Sequence, residues 1–346
     1  MLGSLPYYLK ILDQRDRIPV LYYRWFLMIH HNTVVLLSTF NGQEHIKDQI
    51  QSIVNQDNFK DIDLLIRDDG STDGTIDIIN QHFGKYSNIK LIKGENVGLI
   101  QSFFNLLQES LNDNNNYQYF SFCDQDDYWL PMKVETAIRE ISSVEKDNKK
   151  LPILYGCKSR IVDEKLQYSG KETQGSKKNL SIFFTAIQNI VPGHNQVMNR
   201  SLADIIIKRS KNLDEIYSQD YWFSLVASVT GNIIFDNKSY TLYRMHGNNE
   251  LGYGTSKFSR MLDHLKRLNN GETRKMSRQL LYFKNCFSDY LTEDELNELA
   301  DFFSSQKSAI TRFKYTMRTK LQRQGKVETF QFKLLYMIGS YKLDVS

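Results

Sequence analysis

A series of short apolar runs, each closed by a polar turn, constrains the fold more than any other feature of the sequence. The runs occupy residues 33–38, 62–66, 89–92 and 119–123. Apolar residues at helical spacing follow the first three runs, for example at Ile46, Ile50 and Ile53. Buried strands that alternate with helices are typical of a mostly parallel sheet covered by helices on both faces. We therefore predict an α/β fold.

Carboxylates end two of these predicted strands. Asp68 and Asp69 close the second run, and Asp124, Asp126 and Asp127 close the fourth. The carboxyl ends of parallel strands meet at one edge of a sheet, where ligands bind. Carboxylates gathered there repel each other unless a cation balances them, and divalent cations with a phosphate-bearing partner meet that need. The alternatives are a helix-capping turn for the first pair and a solvated loop for the second group.

Other common site classes are excluded by missing motifs. The sequence contains no GxxxxGK[ST] phosphate loop, no GxGxxG after the first strand, no GxSxG and no HExxH. Its 3 cysteines are too few for a disulfide framework, so we expect a reduced, intracellular protein. No run approaches the roughly 20 apolar residues of a membrane span.

The motifs in this order resemble those of the family 2 glycosyltransferases with the GT-A fold. The matching elements are STFNG (38–42), DDGSTDGT (68–75), ENVG (95–98) and DQDDYW (124–129). A fifth element, YRMHGNN (243–249), resembles a signature of the bacterial rhamnosyltransferase-like branch. The resemblance implies a Rossmann-like, mostly parallel central sheet with flanking helices, followed by a C-terminal helical region.

The resemblance also implies roles for individual residues. Asp220, in the segment SQDYWF, would be the catalytic base; the alternative is an N-cap or first-turn carboxylate favoured by the helix dipole. Asp126, Asp124 and His246 would hold Mn2+ or Mg2+; His246 could instead be an ordinary turn histidine. His194 and Trp222 would lie on the acceptor side, with a plain structural role for His194 as the alternative. The nucleotide-sugar would be bound by Ser38, Phe40, Asn41, Asp68, Asp69, Asn96, Asp124 and Arg244.

These roles imply an inverting, metal-dependent glycosyltransferase. The expected donor is dTDP-rhamnose or a UDP-sugar, and the expected acceptor is a glycan or a lipid-linked oligosaccharide of a cell-surface polysaccharide. The alternative is a catalytically inactive, transferase-like binding or scaffold module. A nucleotidyltransferase is disfavoured because no glycine-rich loop with Arg or Lys follows the first strand. We expect no nucleic-acid partner, and a homo-oligomer is left open.

The C-terminal region differs in charge from the rest of the chain. Residues 257–346 carry 17 basic and 10 acidic side chains, whereas the whole chain has 44 and 40. Its apolar residues recur at helical spacing, and Thr292 with Glu295 forms a capping-box pattern. Such helices lie on an anionic membrane, or pack on the catalytic domain with their charges outward. The expected location is the cytoplasm, with peripheral contact at the inner face of the cell membrane.

Three regions follow from these patterns. Residues 32–252 form the expected GT-A catalytic domain, and residues 253–346 form the basic helical region. Residues 1–31 form an N-terminal extension whose status stays open. Either translation starts at Met28, or the aromatic and basic residues before it form an anchor.

Overall fold

The computed structural model describes residues 33–112, 116–176, 180–246 and 271–343. The expectations for residues 1–31, for an amphipathic helix near 258–268 and for residues 247–249 lie outside these ranges. Within them, the prediction of an α/β fold followed by a C-terminal helical region is confirmed.

The core of the fold is one curled, mixed sheet of nine strands in the described part of the chain. The strands are β1 (Thr33–Thr39), β2 (Ile62–Asp68), β3 (Ile89–Lys93), β4 (Tyr119–Cys123), β5 (Tyr128–Trp129), β6 (Ile153–Val162), β7 (Tyr168–Glu172), β8 (Val197–Asn199) and β9 (Asn232–Arg244). The strand order is β3-β2-β1-β4-β8-β6-β9-β5, and β7 pairs with β6. The first four strands in this order run parallel, while β8 is antiparallel to both of its neighbours.

Helices cover both faces of this sheet. In the first half, α1 (Ile46–Val54), α2 (Thr75–Phe83), α3 (Leu99–Asn112) and α4 (Lys133–Glu145) follow strands. The second half holds α5 (Ile182–Thr185), α6 (Arg200–Arg209) and α7 (Gln219–Thr230). The C-terminal helices are α8 (Glu272–Phe287), α9 (Glu293–Ser304), α10 (Ala309–Arg318) and α11 (Lys326–Met337).

Successive residues of β1 face opposite sides of the sheet, as the two-residue period of a strand requires. Val34 and Leu36 belong to a hydrophobic cluster on one face, and Val35 and Leu37 belong to a second cluster on the other. All four are fully buried. This double burial explains why the strand reads as a continuous apolar run rather than as an alternating one.

The C-terminal helices pack against the sheet and its flanking helices. Phe283, Phe287, Phe302 and Tyr336 are buried in the same cluster as β1 residues Val34 and Leu36. The capping box predicted from Thr292 and Glu295 is confirmed at the start of α9. None of the helices in the described ranges combines the length and the apolar character needed to cross a bilayer.

Candidate functional site

The polar motifs converge because the strands that precede them end at the same level. In the register of the sheet, Thr39 of β1 lies beside Asp68 of β2, and Leu37 lies beside Cys123 of β4. The segments that follow these three strands therefore leave the sheet together at its carboxyl edge, as the sequence predicts.

The segment after β1 ties together the segments after β2 and β4. The Asn41 N–H donates to Ser71 Oγ at 2.9 Å, and Asn41 Oδ1 accepts from the Thr72 N–H at 2.9 Å. Asn41 adopts a positive φ of 49°, a conformation that asparagine tolerates better than most residues. Its side chain thus orders the loop after β2, a role that differs from the expected donor contact.

Gln125 is a site residue that the sequence did not single out. Its Oε1 accepts from Thr39 Oγ1 at 2.8 Å and from the Phe40 N–H at 2.9 Å. The residue between the two motif carboxylates thereby fixes the acidic loop against the end of β1. Its partners lie about 85 residues away in sequence, so no local pattern announces the contact.

Asp68 and Asp69 are both buried but are used differently. Asp69 forms an ion pair with Arg67 and accepts hydrogen bonds from the Val97 and Gly98 N–H groups. It therefore anchors the ENVG loop. Asp68 Oδ1 accepts from the Ser71 N–H at 2.9 Å, whereas its buried Oδ2 has no hydrogen-bond partner among the described residues. Asp68 is the member of the pair with an unused acceptor atom.

The remaining donor-side residues differ in accessibility. Ser38 is buried and shares a 2.6 Å hydrogen bond with Ser102 Oγ. Phe40 is 43% exposed and Val97 is 44% exposed, and Asn96 is exposed as well. Exposed apolar side chains at this edge offer a surface on which a nucleobase can pack. The structure thus leaves Phe40 and Asn96 available to a ligand and uses Ser38 internally.

The acidic loop after β4 presents two groups of metal-ligand type. In the first, His246 Nε2 lies 2.8 Å from Asp126 Oδ2. In the second, His194 Nδ1 lies 3.8 Å from Asp124 Oδ2 and 3.7 Å from Asp127 Oδ2. The ligand atoms of this second group all lie within 4.8 Å of one another. Both groups offer the carboxylate oxygens and imidazole nitrogens that divalent metals accept.

Accessibility and charge separate the two groups. The Asp126 and His246 side chains are 22% and 13% exposed, while those of Asp127 and His194 are 1% and 4% exposed. Burial raises the pKa of Asp127 well above its usual range, and the neighbouring Asp126 and Asp124 raise it further. Burial also lowers the pKa of His194 to about 3. Asp124, the third member of the second group, is 36% exposed, so the acidic loop is accessible to solvent at Asp124 and at the Asp126–His246 pair.

Lys133 supplies a buried positive charge beside the second group (Asp124, Asp127 and His194), and the sequence analysis did not predict it. Its ammonium donates to the His194 carbonyl at 2.6 Å and lies 3.3 Å from the ring centroid of Trp129. Burial lowers its pKa to about 8. The sequence does indicate that Lys133 is buried, because it shares the apolar face of α4 with Ala137 and Ile141, four and eight residues later.

Arg244 is engaged by protein groups rather than presented to a ligand. It is 3% exposed, and its guanidinium contacts the Asp126 and Glu164 carbonyls and the Asp48 carboxylate, each within 3.0 Å. Its backbone N–H donates to Asp127 Oδ1. In this structure Arg244 therefore pairs with a carboxylate and anchors the acidic loop, and its expected contact with the donor stays a prediction.

Asp220 lies in the first turn of α7, where the helix dipole favours a carboxylate. Its Oδ2 accepts from the Gly193 N–H at 3.2 Å, and its Oδ1 accepts from the Tyr221 N–H and the Ser218 hydroxyl. Gly193 precedes His194, whose ring faces Asp124 and Asp127. The 193–195 turn thus lies between the carboxylate of Asp220 and the acidic loop.

The two residues expected on the acceptor side are both buried. Trp222 is 0% exposed, its Nε1 donates to Ser210 Oγ at 2.7 Å, and its ring stacks on Tyr282 of α8. It offers no surface to an acceptor, because the C-terminal helices cover it. His194 is 3% exposed, with Nε2 2.8 Å from Ser159 Oγ and its ring stacked on Tyr243. These contacts fit the structural role that was given above as the alternative for His194.

Comparison with known proteins agrees with these observations. Residues 34–204 match the family model described as Glycosyl transferase family 2. The dTDP-rhamnosyl transferase RfbG of Shigella flexneri is 29% identical over 231 residues, which cover 64% of this chain and 75% of that protein. An uncharacterised glycosyltransferase of Rickettsia typhi is 24% identical over 277 residues, which cover 78% and 79%.

Among solved structures, TarS of S. aureus (residues 1–349, in complex with UDP) superposes with a TM-score of 0.53. The two chains are 14% identical, and the match covers 90% of this chain and 81% of that one. At this identity the likeness concerns the fold alone.

Proposed function

Because this chain belongs to the family 2 glycosyltransferases and has the GT-A fold, we propose that it is an inverting, metal-dependent transferase with Asp220 as its base. The observation that carries the proposal is the convergence at one sheet edge of an acidic loop and an oriented carboxylate. Asp126 with His246 forms one side of this arrangement, and Asp220 on the Gly193 N–H forms the other.

We favour dTDP-rhamnose as the donor. Support comes from the relative named as a dTDP-rhamnosyl transferase and from the YRMHGNN element, whose His246 meets the acidic loop. A UDP-sugar is the second candidate. The exposed Phe40 would pack on the nucleobase, and the unused Oδ2 of Asp68 would accept a hydrogen bond from the base or the ribose.

The residues at the acidic loop fit a divalent cation, Mn2+ or Mg2+. Asp126, His246 and Asp124 would hold it, since their oxygen and nitrogen atoms match the ligands of such ions and two of them already lie 2.8 Å apart. When bound, the ion would neutralise the charge that develops on the leaving diphosphate. Arg244 holds the acidic loop by donating to the Asp126 carbonyl, and Gln125 holds it by accepting from the Phe40 N–H.

In the proposed reaction, the Asp220 carboxylate accepts the proton of an acceptor hydroxyl. The hydroxyl oxygen bonds to the anomeric carbon, the bond from that carbon to the phosphate oxygen breaks, and the nucleoside diphosphate departs. The transition state resembles an oxocarbenium ion, as in other glycosyl chemistry. Hydrogen bonds from Gly193, Ser218 and Tyr221 keep the carboxylate in one orientation, so the base needs no rearrangement to act.

We further propose that the acceptor is a glycan or a lipid-linked oligosaccharide and that the enzyme works at the inner face of the cell membrane. The basic C-terminal region supports a location near anionic lipid. The product would belong to a cell-surface polysaccharide.

Nucleotide release from a panel of dTDP-, UDP- and GDP-sugars tests the proposal. The wild type is compared with Asp126→Ala and Asp220→Asn, and with Asp214→Asn as a matched control at an exposed site nearby. We expect slow turnover of one donor, lost with EDTA and in both site variants but kept in the control. No turnover together with no metal-dependent donor binding would instead support the scaffold alternative.

A further inference from the structure

The last two helices of the described chain expose an apolar surface that folding does not require. We define the C-terminal apolar face as seven side chains that are each 43% to 72% exposed. They recur at spacings of three, four or seven residues within each helix, which places them on one face of each helix. The members are Ile310, Phe313 and Met317 of α10, and Val327, Phe330, Leu334 and Ile338 along and just after α11.

The opposite faces of the same helices are already packed. Tyr315 of α10 and Phe332, Leu335 and Tyr336 of α11 are buried in the main hydrophobic cluster. Arg312 joins the two helices, since its Nε donates to the Met337 carbonyl at 2.9 Å. The exposed stripes are therefore held on a rigid support, and a partner is needed to remove them from water.

The charge around this face is strongly positive. Residues 305–343 carry nine Lys and Arg and one acidic residue, Glu328. The preceding helix α9 is different, because Glu293, Asp294 and Glu295 begin it and further carboxylates follow. Positive charge and several strongly exposed apolar side chains thus coincide on α10 and α11, whereas the basic helix α8 exposes one large apolar side chain, Leu281, at 36%.

A recess beside the face adds polar groups. It has a volume of about 460 Å³ and lies between α5, the segment before α11, and α11 itself. Lys320 and Lys333 line it together with the hydroxyl-bearing Ser181, Thr319 and Thr329. Lys333 lies three residues after the exposed Phe330, so its ammonium group borders the apolar stripe. Lys320 forms an ion pair with Asp294, the Thr319 hydroxyl donates to Glu298, and that of Thr329 donates to the Gly325 carbonyl. The ammonium group of Lys333 is therefore the one that we assign to the phosphate of a lipid headgroup.

We propose that α10 and α11 dock the enzyme on an anionic lipid bilayer. Apolar side chains interleaved with lysines and arginines are the pattern of a helix that lies in the interface plane. A symmetric contact with a second copy fits less well, because it would set the same positive surface against itself. This proposal deepens the membrane location given under the proposed function, and it assigns that contact to two helices rather than to the whole C-terminal region.

Vesicle sedimentation with the full chain tests the proposal. Phosphatidylcholine vesicles are compared with vesicles that also contain phosphatidylglycerol. We expect binding to the anionic vesicles that salt weakens. In Phe313→Ser/Phe330→Ser, the partition coefficient should fall roughly a hundredfold or more, since burial of each phenylalanine contributes about tenfold to a hundredfold. Lys333→Gln should reduce the preference for anionic lipid.

Tyr168→Ser is the matched control, because Tyr168 is a 52% exposed aromatic residue on β7. It should bind vesicles as the wild type does. Equal binding by the wild type and the double phenylalanine variant would overturn the proposal, as would equal binding to both vesicle types. Light scattering that shows a dimer for the wild type and a monomer for the phenylalanine variant would assign the face to self-association instead.

The vesicle assay requires no turnover, so it separates this proposal from the proposed function. Lipid binding with neither nucleotide release nor metal-dependent donor binding would leave the docking face standing and refute the enzymatic proposal. Nucleotide release in lipid-free solution, unchanged in Phe313→Ser/Phe330→Ser, shows that the variant is folded. A failure of that variant to lose vesicle binding then counts against the docking face alone.

Discussion

The substitution Trp222→Phe tests whether this side chain belongs to the hydrophobic core or to an acceptor site. The smaller ring leaves the Ser210 hydroxyl, which is 6% exposed, without its indole donor. Losing a buried hydrogen bond in this way costs about 1–2 kcal/mol. The space left beside Tyr282, Phe283 and Phe287 adds a cavity cost of about 1–2 kcal/mol. We expect the free energy of unfolding to fall by about 2–4 kcal/mol.

Urea denaturation followed by tryptophan and tyrosine fluorescence measures this change. Ser210→Ala and the double variant complete a thermodynamic cycle in which the coupling energy should be about 1 kcal/mol. Donor KM should not change, since Trp222 contacts neither the acidic loop nor the segment after β1. A variant that unfolds within about 0.5 kcal/mol of the wild type would refute the assignment of Trp222 to the core.

Three further predictions concern the site. Asp69→Asn should lower the free energy of unfolding by about 3–5 kcal/mol in urea denaturation, because it removes the carboxylate that pairs with the buried Arg67. The control Glu109→Gln, in the exposed pair with Lys90, should lower it by less than about 0.5 kcal/mol. Similar losses in the two variants would contradict this prediction. His246→Gln should weaken Mn2+ binding about tenfold or more in an EPR titration, with His82→Gln as the unaffected control, and equal affinities would exclude His246 as a ligand. For Lys133, burial lowers the pKa from 10.5 to about 8, so the stability linked to this group is fully present above pH 10.5 and is lost as the pH falls through about 8. The unfolding free energy of the wild type minus that of Lys133→Met should therefore rise by on the order of 1–3 kcal/mol from about pH 7.5 to about pH 10, and a constant difference would show that Lys133 is not buried as a charge.

The strands and the acidic loops could be predicted because their signals are local. Buried strands such as β1 and β2 are continuous apolar runs, and the carboxylates follow them directly in sequence. Strand ends in a parallel sheet meet at one edge, so the meeting of these loops follows from the order of strands and helices. The placement of Asp220 in the first turn of a buried helix is equally local.

The partners of the site residues could not be predicted in this way. Arg244 forms an ion pair with Asp48, 196 residues earlier in the chain, and no local pattern in the sequence indicates this contact. Trp222 has the aromatic context of an acceptor-side residue, but α8 folds back over it. Both outcomes depend on how distant segments pack, and a single sequence does not contain that information.

Helix α7, which carries Asp220, shares one hydrophobic core with the C-terminal helices. Trp222, two residues after Asp220, packs against Tyr282, Phe283 and Phe287, and α10 and α11 continue the same cluster. Helices that share one core are expected to melt in a single cooperative transition. By mass action, any ligand that binds α10 and α11 only when they are folded raises the melting temperature of the cooperative unit that includes α7 and Asp220. Binding at a remote surface would then protect the segment proposed to hold the base against heat.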